Sequence, residues 1–577
     1  MAARLTTYVV VGIVAATLIA GLIVGAQRDD SNGPVDLIVY NAKVYTSDGS
    51  GTMAEAVAVR GNQILRVGST REIMRLRRPQ TVAIDAQGGA VLPGFNDSNV
   101  RFIDGGLSLR EVDLTGADSL VEISDRVSGW AASNPGRPWI LGRGWTPAAF
   151  PASGPTRQAL DAAVADRPAY IVSADGRSAW LNTKAMHLAG ISRRTPAPPG
   201  GVIVKDARRG EPTGVLRDAA MTLASRLIPR PDRDAREEAL RAAIEEAHRH
   251  GITSVRDASG RADDFLLYDA ARTAGELNVR VYAPAIVDGV PEIESLKRLD
   301  ALAARYPDDP LFKFGGAEIS IDGPVEAAQA ALLLPYQKNP DDDGPDDVDV
   351  DALNRFVRLL DARGWQVSLD AFGDRAVHMA LDALEHASRS NPKPERGRRH
   401  RVDGVELVDA ADVARFAHLD AVASVTLRSP TDDLMETWSQ LAGAERASRA
   451  WPAASLASAR AKITLGTGWP AAALDPIEAI HAAVTRTTPD GLPEGGWSPA
   501  ERITLKRAID AFTSVPAHAS FDEQRKGALK KGMLADIVVL SRDIFSATES
   551  ELARTTVAVT IFDGKIVYRR ESRATTD

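Results

Sequence analysis

The chain has 577 residues, enough for a large core and more than one domain, with the composition of an ordinary soluble protein. Its formal charge of -8 is small for that length and spread along the sequence, which argues against a nucleic-acid surface. The absence of cysteine excludes disulfides, thiolate nucleophiles and zinc-thiolate sites, so any metal must be held by histidine or carboxylate.

The N-terminus departs from the soluble pattern. After a short segment, residues 1–7, comes an uncharged run at residues 8–26, "YVVVGIVAATLIAGLIVGA", of the length that crosses a bilayer as a helix. Arg4 and the free amine favour a cytoplasmic N-terminus. The expectation is a transmembrane helix that anchors the chain by a single pass, with the body outside the cytoplasm. Val24 and Ala26 would also suit a signal peptidase, which leaves cleavage as the alternative. A polar linker, residues 27–34, follows.

Residues 35–90 carry short alternating segments such as "DLIVYNAKVYT" and "EAVAVRGNQILRVG" between Gly, Asn and Ser turns, the pattern of a small β-sheet module. The same texture returns in residues 522–577, in "GMLADIVVLSRD" and "TVAVTIFDGKIVYRR", which predicts one β-sandwich built from both ends of the chain. Residues 91–521 alternate amphipathic helices with short apolar strands. In "REEALRAAIEEAHRHGITSVRDAS" a helical apolar period runs to Gly251 and then gives way to a strand. Repetition of that unit predicts an α/β barrel with its active site on the loops at the strand C-termini. The basic runs "RLRRP" (75–79) and "RGRRHR" (396–401) read as solvated faces, and His248 and His250 as a surface helix end.

Several blocks occur in a fixed order: "LPGFNDSNVRF", "SADGRSAWLNTKAMHLAGI", "GVLRDAA", "HGITSVRDA", "ISIDG", "LDAFGDRAVHMALDALE", "RHRVDGVELV", "LGTGWPAAALDPIEAIHAAVTR" and "GALKKGMLADIVVLSRD". On these the sequence resembles amidohydrolase family 3, the branch of the metal-dependent amidohydrolases that includes N-substituted formamide deformylase-like proteins. The resemblance implies a distorted (β/α)8 TIM barrel beside a β-sandwich. It also implies hydrolysis of amide-type carbon-nitrogen bonds by water on zinc or another divalent metal. That chemistry needs neutral imidazoles to hold the ion and a carboxylate to move the proton.

The sequence departs from the family at those very places. Where the family carries His-x-His this chain has Asn99 and Arg101; a family His is Asp370, and a Glu-His pair is Asp403 and Gly404. The family's catalytic Asp is Gly468, a Lys that bridges metals once carbamylated is Glu318, and a pocket His is Arg177. The expected protein is therefore a degenerate amidohydrolase that holds no metal cofactor and still binds a small molecule.

Two alternatives stand beside it. One is an enzyme rebuilt on a carboxylate cluster of Glu318, Asp370, Asp403 and Asp218, with a hard cation or none. The other is an extracytoplasmic binding or scaffold component. In the plainest account the acids merely pair with Arg101 and Arg177. Further pocket candidates are Asp97, Trp145, Trp180, Phe372 and Trp469, and by the resemblance a homodimer is admissible.

Arg101 carries the most specific expectation: that it points into the position of the ion and pairs with Asp97, Glu318, Asp370 or Asp403. A unit charge about 4 Å away repels another by roughly 4 kcal/mol at an effective dielectric near 20, and a divalent ion by twice that.

Overall fold

The computed structural model describes residues 34–571 except 175, 288–292, 338, 340 and 347. The expected anchor at residues 8–26 lies outside the described residues. Among those described, no helix is long and apolar enough to cross a membrane.

Eight parallel strands form the centre: β1 (Phe95–Val100), β2 (Ile252–Asp257), β3 (Arg280–Ile286), β4 (Phe312–Ser320), β5 (Val367–Ala371), β6 (Arg401–Gly404), β7 (Val422–Val425) and β8 (Lys462–Leu465). Their order in space is their order in sequence, as repeated right-handed crossovers produce. β8 and β1 approach each other across the remaining gap, where Gly468 N–H donates to the Asn99 carbonyl at 3.0 Å. A Cβ on Gly466 would sit 2.7 Å from the Asn99 backbone nitrogen, so glycine is what lets the ring come this close to closing.

The outer helices show why the periodicity was readable. Val350–Asp361, capped by the Asp349 side chain, buries Leu353, Phe356, Val357 and Leu360 on one stripe. Each such side chain contributes about 1.5–3 kcal/mol of transfer free energy.

Residues 91–521 are not barrel throughout. Between β1 and β2 a six-stranded mixed sheet is inserted, in the spatial order Gly201–Lys205, Pro212–Asp218, Ser178–Leu181, Ala169–Ser173, Ile140–Trp145, Val112–Asp113. One face packs against helices Leu120–Ser133 and Arg157–Ala163 through Ile123, Val127 and Leu160. The other face packs on Ala185 and Met186 of helix Thr183–Leu188. The insert shares the helix-strand texture of the barrel, and only its antiparallel pairings set it apart.

Strands from both ends of the chain share a further six-stranded sheet, in which Ile537–Leu540 lies antiparallel to Ala90–Pro93. A four-stranded sheet containing Leu37–Tyr40 and Ala56–Arg60 accompanies it, and Val39, Val44, Val57, Val91, Ile537 and Val539 belong to one apolar cluster there.

The base of the barrel meets this region through buried charge. Arg280 opens β3, is 3% exposed, and places Nε 2.6 Å and Nη2 2.9 Å from the Asp536 carboxylate, with Asp563 also at 2.9 Å. Lys313 of β4 meets Asp522 at 2.8 Å and Asp308 at 3.1 Å.

Two basic segments expected at the surface are buried in part. His248 is no surface residue: its ring nitrogen meets the Asn278 carbonyl at 2.8 Å and its ring lies 6.3 Å from that of Phe562. The run 396–401 is not a solvated face either, since Arg398, His400 and Arg401 are buried and the first two converge on Asp361. In both cases the helix or strand start lies under the sandwich or a neighbouring helix, a contact that local polarity does not encode.

Candidate active site

Three carboxylates converge at the barrel mouth. Glu318 of β4, Asp370 of β5 and Asp403 of β6 each bring an oxygen within 4.8 Å of the other two. Strand alternation accounts for it: Asp370 and Asp403 are direct partners across the β5-β6 ladder, and Glu318 pairs with Ser368, two residues before Asp370. Asp218 is not among them; it lies at the end of the inserted strand Pro212–Asp218.

The cation that meets these acids comes from β2. Arg256 is 3% exposed, and its Nη2 stands 2.5 Å from Glu318 Oε2 and 3.2 Å from Asp403 Oδ2. Arg401 joins from the start of β6, with Nη2 2.9 Å from Asp403 Oδ1, 3.0 Å from Ser424 Oγ and 3.3 Å from the Ser98 carbonyl.

Arg101, expected in this place, points away. It is exposed and pairs at 3.1 Å with Asp104, which Arg261 also holds at 2.7 Å. The reason is local: β1 ends at Val100, and residue 101 is the N-cap of helix Phe102–Ser108, so the inward-outward alternation stops one residue too early. Arg177 does not reach the acids of the barrel either, and pairs with Asp218 at 3.0 Å.

Burial opposes ionisation of all three acids. For Asp403 the guanidinium groups of Arg256 and Arg401 outweigh it, and the pKa falls below the ordinary value. For Glu318 burial exceeds what Arg256 returns, and the pKa rises. Asp370 lies well above the usual carboxylate range, first through burial and then through repulsion by Glu318 and Asp403. Charge balance gives the same ordering, because two guanidinium groups offset two carboxylates and the third acid has the weakest compensation. Asp370 is also the half-buried member, whereas Glu318 and Asp403 are almost fully enclosed.

The remaining candidates divide between support and core. Asp97 is fully buried and accepts from Thr467 N at 3.0 Å, Thr467 Oγ1 at 2.6 Å and Asn99 N at 3.1 Å, tying β1 to the loop after β8. Burial raises its pKa to about 6. Asn99 spends its side chain on Thr426 Oγ1 at 3.0 Å, and Gly468 follows in the same closure.

At Gly404, opposite Ala371 and one residue past Asp403, φ is +96° and an added Cβ would lie 2.9–3.0 Å from the Phe372 ring, so a side chain there is opposed by both backbone and neighbour. Phe372 is half-buried over that glycine. Trp469 packs on Phe102 with ring centroids 6.0 Å apart, and Trp180 on Phe150 at 5.1 Å; both are core residues, not pocket walls. Trp145, Arg177 and Asp218 line a separate cavity in the insert.

Among the described residues this cluster is the one group of three or more potential ligands, and none of the nine histidines belongs to it. An oxygen-only donor set with a guanidinium against two of its members does not match the imidazole cage that a zinc-bound water requires.

Residues 82–568 match the amidohydrolase family model. This chain belongs to the amidohydrolase family. It is 30% identical over 544 residues to the Arabidopsis thaliana protein LONG AFTER FAR-RED 3, covering 92% of this chain and 91% of that one. It is 26% identical over 549 residues to the N-substituted formamide deformylase of Arthrobacter pascens, covering 93% and 98%. In fold it is similar to an uncharacterized metal-dependent hydrolase from Pyrococcus furiosus, with a TM-score of 0.68 at 24% identity, covering 87% of this chain and 98% of that one.

Proposed function

We propose that this family member has given up metal-dependent hydrolysis and serves as a ligand-binding barrel in which a fixed guanidinium stands in for the divalent ion. The observation that carries the reading is the contact of Arg256 Nη2 with Glu318 at 2.5 Å and Asp403 at 3.2 Å. A permanent cation there neutralises the two acids as a metal would, and it opposes entry of a second cation. A guanidinium does not supply the Lewis acidity that brings bound water to a neutral pKa.

The deformylase relative suggests the substrate class to try, an N-substituted formamide. Purified native protein is expected to carry far less than one equivalent of zinc, manganese or iron by elemental analysis. It is also expected to show no chelator-sensitive turnover of such a formamide. A full equivalent of metal, or turnover abolished by chelation, would overturn the reading.

Asp370 favours a second reading. It is half-buried, without a guanidinium contact of its own among the described residues, and burial with its acidic neighbours holds its pKa well above the usual carboxylate range. In that case Asp370 protonates the leaving nitrogen of a carbon-nitrogen bond without metal, and an ionised neighbour orients water. Activity that survives chelation and disappears in Asp370→Asn would make this the better account.

For location we propose that residues 8–26 anchor the chain with its body outside the cytoplasm, on the uncharged length of that run. Activity of a cytoplasm-only reporter fused after residue 577 would contradict it.

A further inference from the structure

The inserted sheet has a cavity of about 570 Å³, within the range of small-molecule sites, and none of the three barrel carboxylates lines it. We propose that this cavity binds a small organic anion with an aromatic or aliphatic body. It is independent of the reading of the barrel.

The wall follows from strand alternation. Thr213, Val215 and Arg217 are spaced by two along Pro212–Asp218 and share the face that opens into the cavity, while Leu216 points to the opposite core. Ser178 is the direct cross-strand partner of Arg217. Helices Leu120–Ser133 and Arg157–Ala163 cover part of this face, and the uncovered remainder is the cavity.

Trp145 supplies a rigid aromatic surface. It is 3% exposed, its Nε1 donates to the Ile171 carbonyl at 2.9 Å, and Phe150 braces it edge-on at 5.5 Å. Two residues earlier, Arg143 Nη1 reaches the Pro470 carbonyl at 3.5 Å, which sets the end of this strand beside the loop that follows β8.

Charge selects the ligand. Among the described residues the wall carries two guanidinium groups and one carboxylate. Arg177 and Asp218 are committed to each other: Arg177 Nε donates to Asp218 Oδ1 at 3.0 Å, and Asp218 N–H donates to the Arg177 carbonyl at 2.9 Å. That clamp holds Asp218 at φ 50°, ψ -130°, a strained conformation for a residue with a side chain. Arg217 remains, exposed at the cavity and with no ion-pair partner among the described residues, with Val215 and Trp145 on the same wall. A carboxylate on Arg217 with an apolar body along Trp145 and Val215 satisfies both features.

Phenylacetate and neutral phenylacetamide, titrated calorimetrically into the full chain, test this. Saturable phenylacetate binding is expected, with phenylacetamide weaker by about tenfold or more. Arg217→Ala should weaken phenylacetate by a similar factor while leaving phenylacetamide unchanged, and Arg217→Lys should restore most of the loss. Thr213→Trp, with its folding checked by circular dichroism, should fill the cavity and abolish binding of both probes. The proposal falls if phenylacetate does not saturate the native chain. It falls equally if Arg217→Ala binds it as well as wild type.

Discussion

At the base of the barrel Arg280 meets Asp536 and Asp563, and Lys313 meets Asp522 and Asp308; at the mouth Arg256 and Arg401 meet Glu318 and Asp403, with Asp370 left over. The base spends its charges on joining two parts of the chain, and each of those acids has a cation within reach. At the mouth all five groups come from barrel strands, and among the described residues Asp370 has no cation in contact. Complete pairing rigidifies a base, whereas an unpaired acid at the C-terminal strand ends, where barrels of this kind work, is a group available to a ligand.

The largest effect should come from removing a buried cation at either end. Arg256→Met and Arg280→Met each strand buried carboxylates and should cost about 3–5 kcal/mol in urea unfolding. The two ends should then separate: millimolar calcium or magnesium should raise the melting temperature of Arg256→Met, whose three oxygens converge, and not that of Arg280→Met. Equal rescue of both would erase the distinction.

A smaller loss, about 1–3 kcal/mol, is expected for Gly404→Ala, which combines a positive φ with a Cβ pressed on Phe372. An unchanged denaturation midpoint would show that Phe372 moves aside freely.

The two ends should also differ in the sign of their pH dependence. Asp370 and Asp97 have native pKa values above the unfolded value near 4, Asp97 at about 6. The native state therefore binds the extra proton, and stability falls as pH rises from about 4, by roughly 1.4 kcal/mol per unit for each group until it ionises. Asp370→Asn should flatten its share of that slope. At the base, burial lowers Lys526 to about 8, below its unfolded value near 10.4. There the unfolded state binds more protons, and stability should rise between about pH 8 and pH 10. Urea titrations across this range read both slopes, and an Asp370→Asn slope no flatter than that of wild type would mean that Asp370 is ionised in the native barrel.

The smallest effect is expected from Arg101→Ala, within about 0.5 kcal/mol of wild type and without acquired metal, since an exposed pair is all it loses. A large loss would return Arg101 to the site.

Much of the fold was legible because helices and strands write their period locally: "VDALNRFVRLLD" buries one stripe, and the ordered blocks matched the family. The inserted sheet was hidden because its segments carry the same texture as the barrel. At the site, Glu318, Asp370 and Asp403 were reached through the family resemblance, as the residues standing where it implies Lys, His and Glu. Arg256 was passed over inside "HGITSVRDA", although a charge within an apolar strand is itself a signal that buried partners must exist.

The sequence by itself determined the family and the alternation of helices and strands. Which arginine answers the acids at the mouth was decided only in three dimensions. Arg101 and Arg256 both lie near the ends of barrel strands, but one stands a residue past the last rung of β1 and the other remains within β2. Side chains alternate with a period of two, so a single residue decides whether a guanidinium enters the barrel or faces water, and strand ends are set by pairing with neighbours far away in the chain.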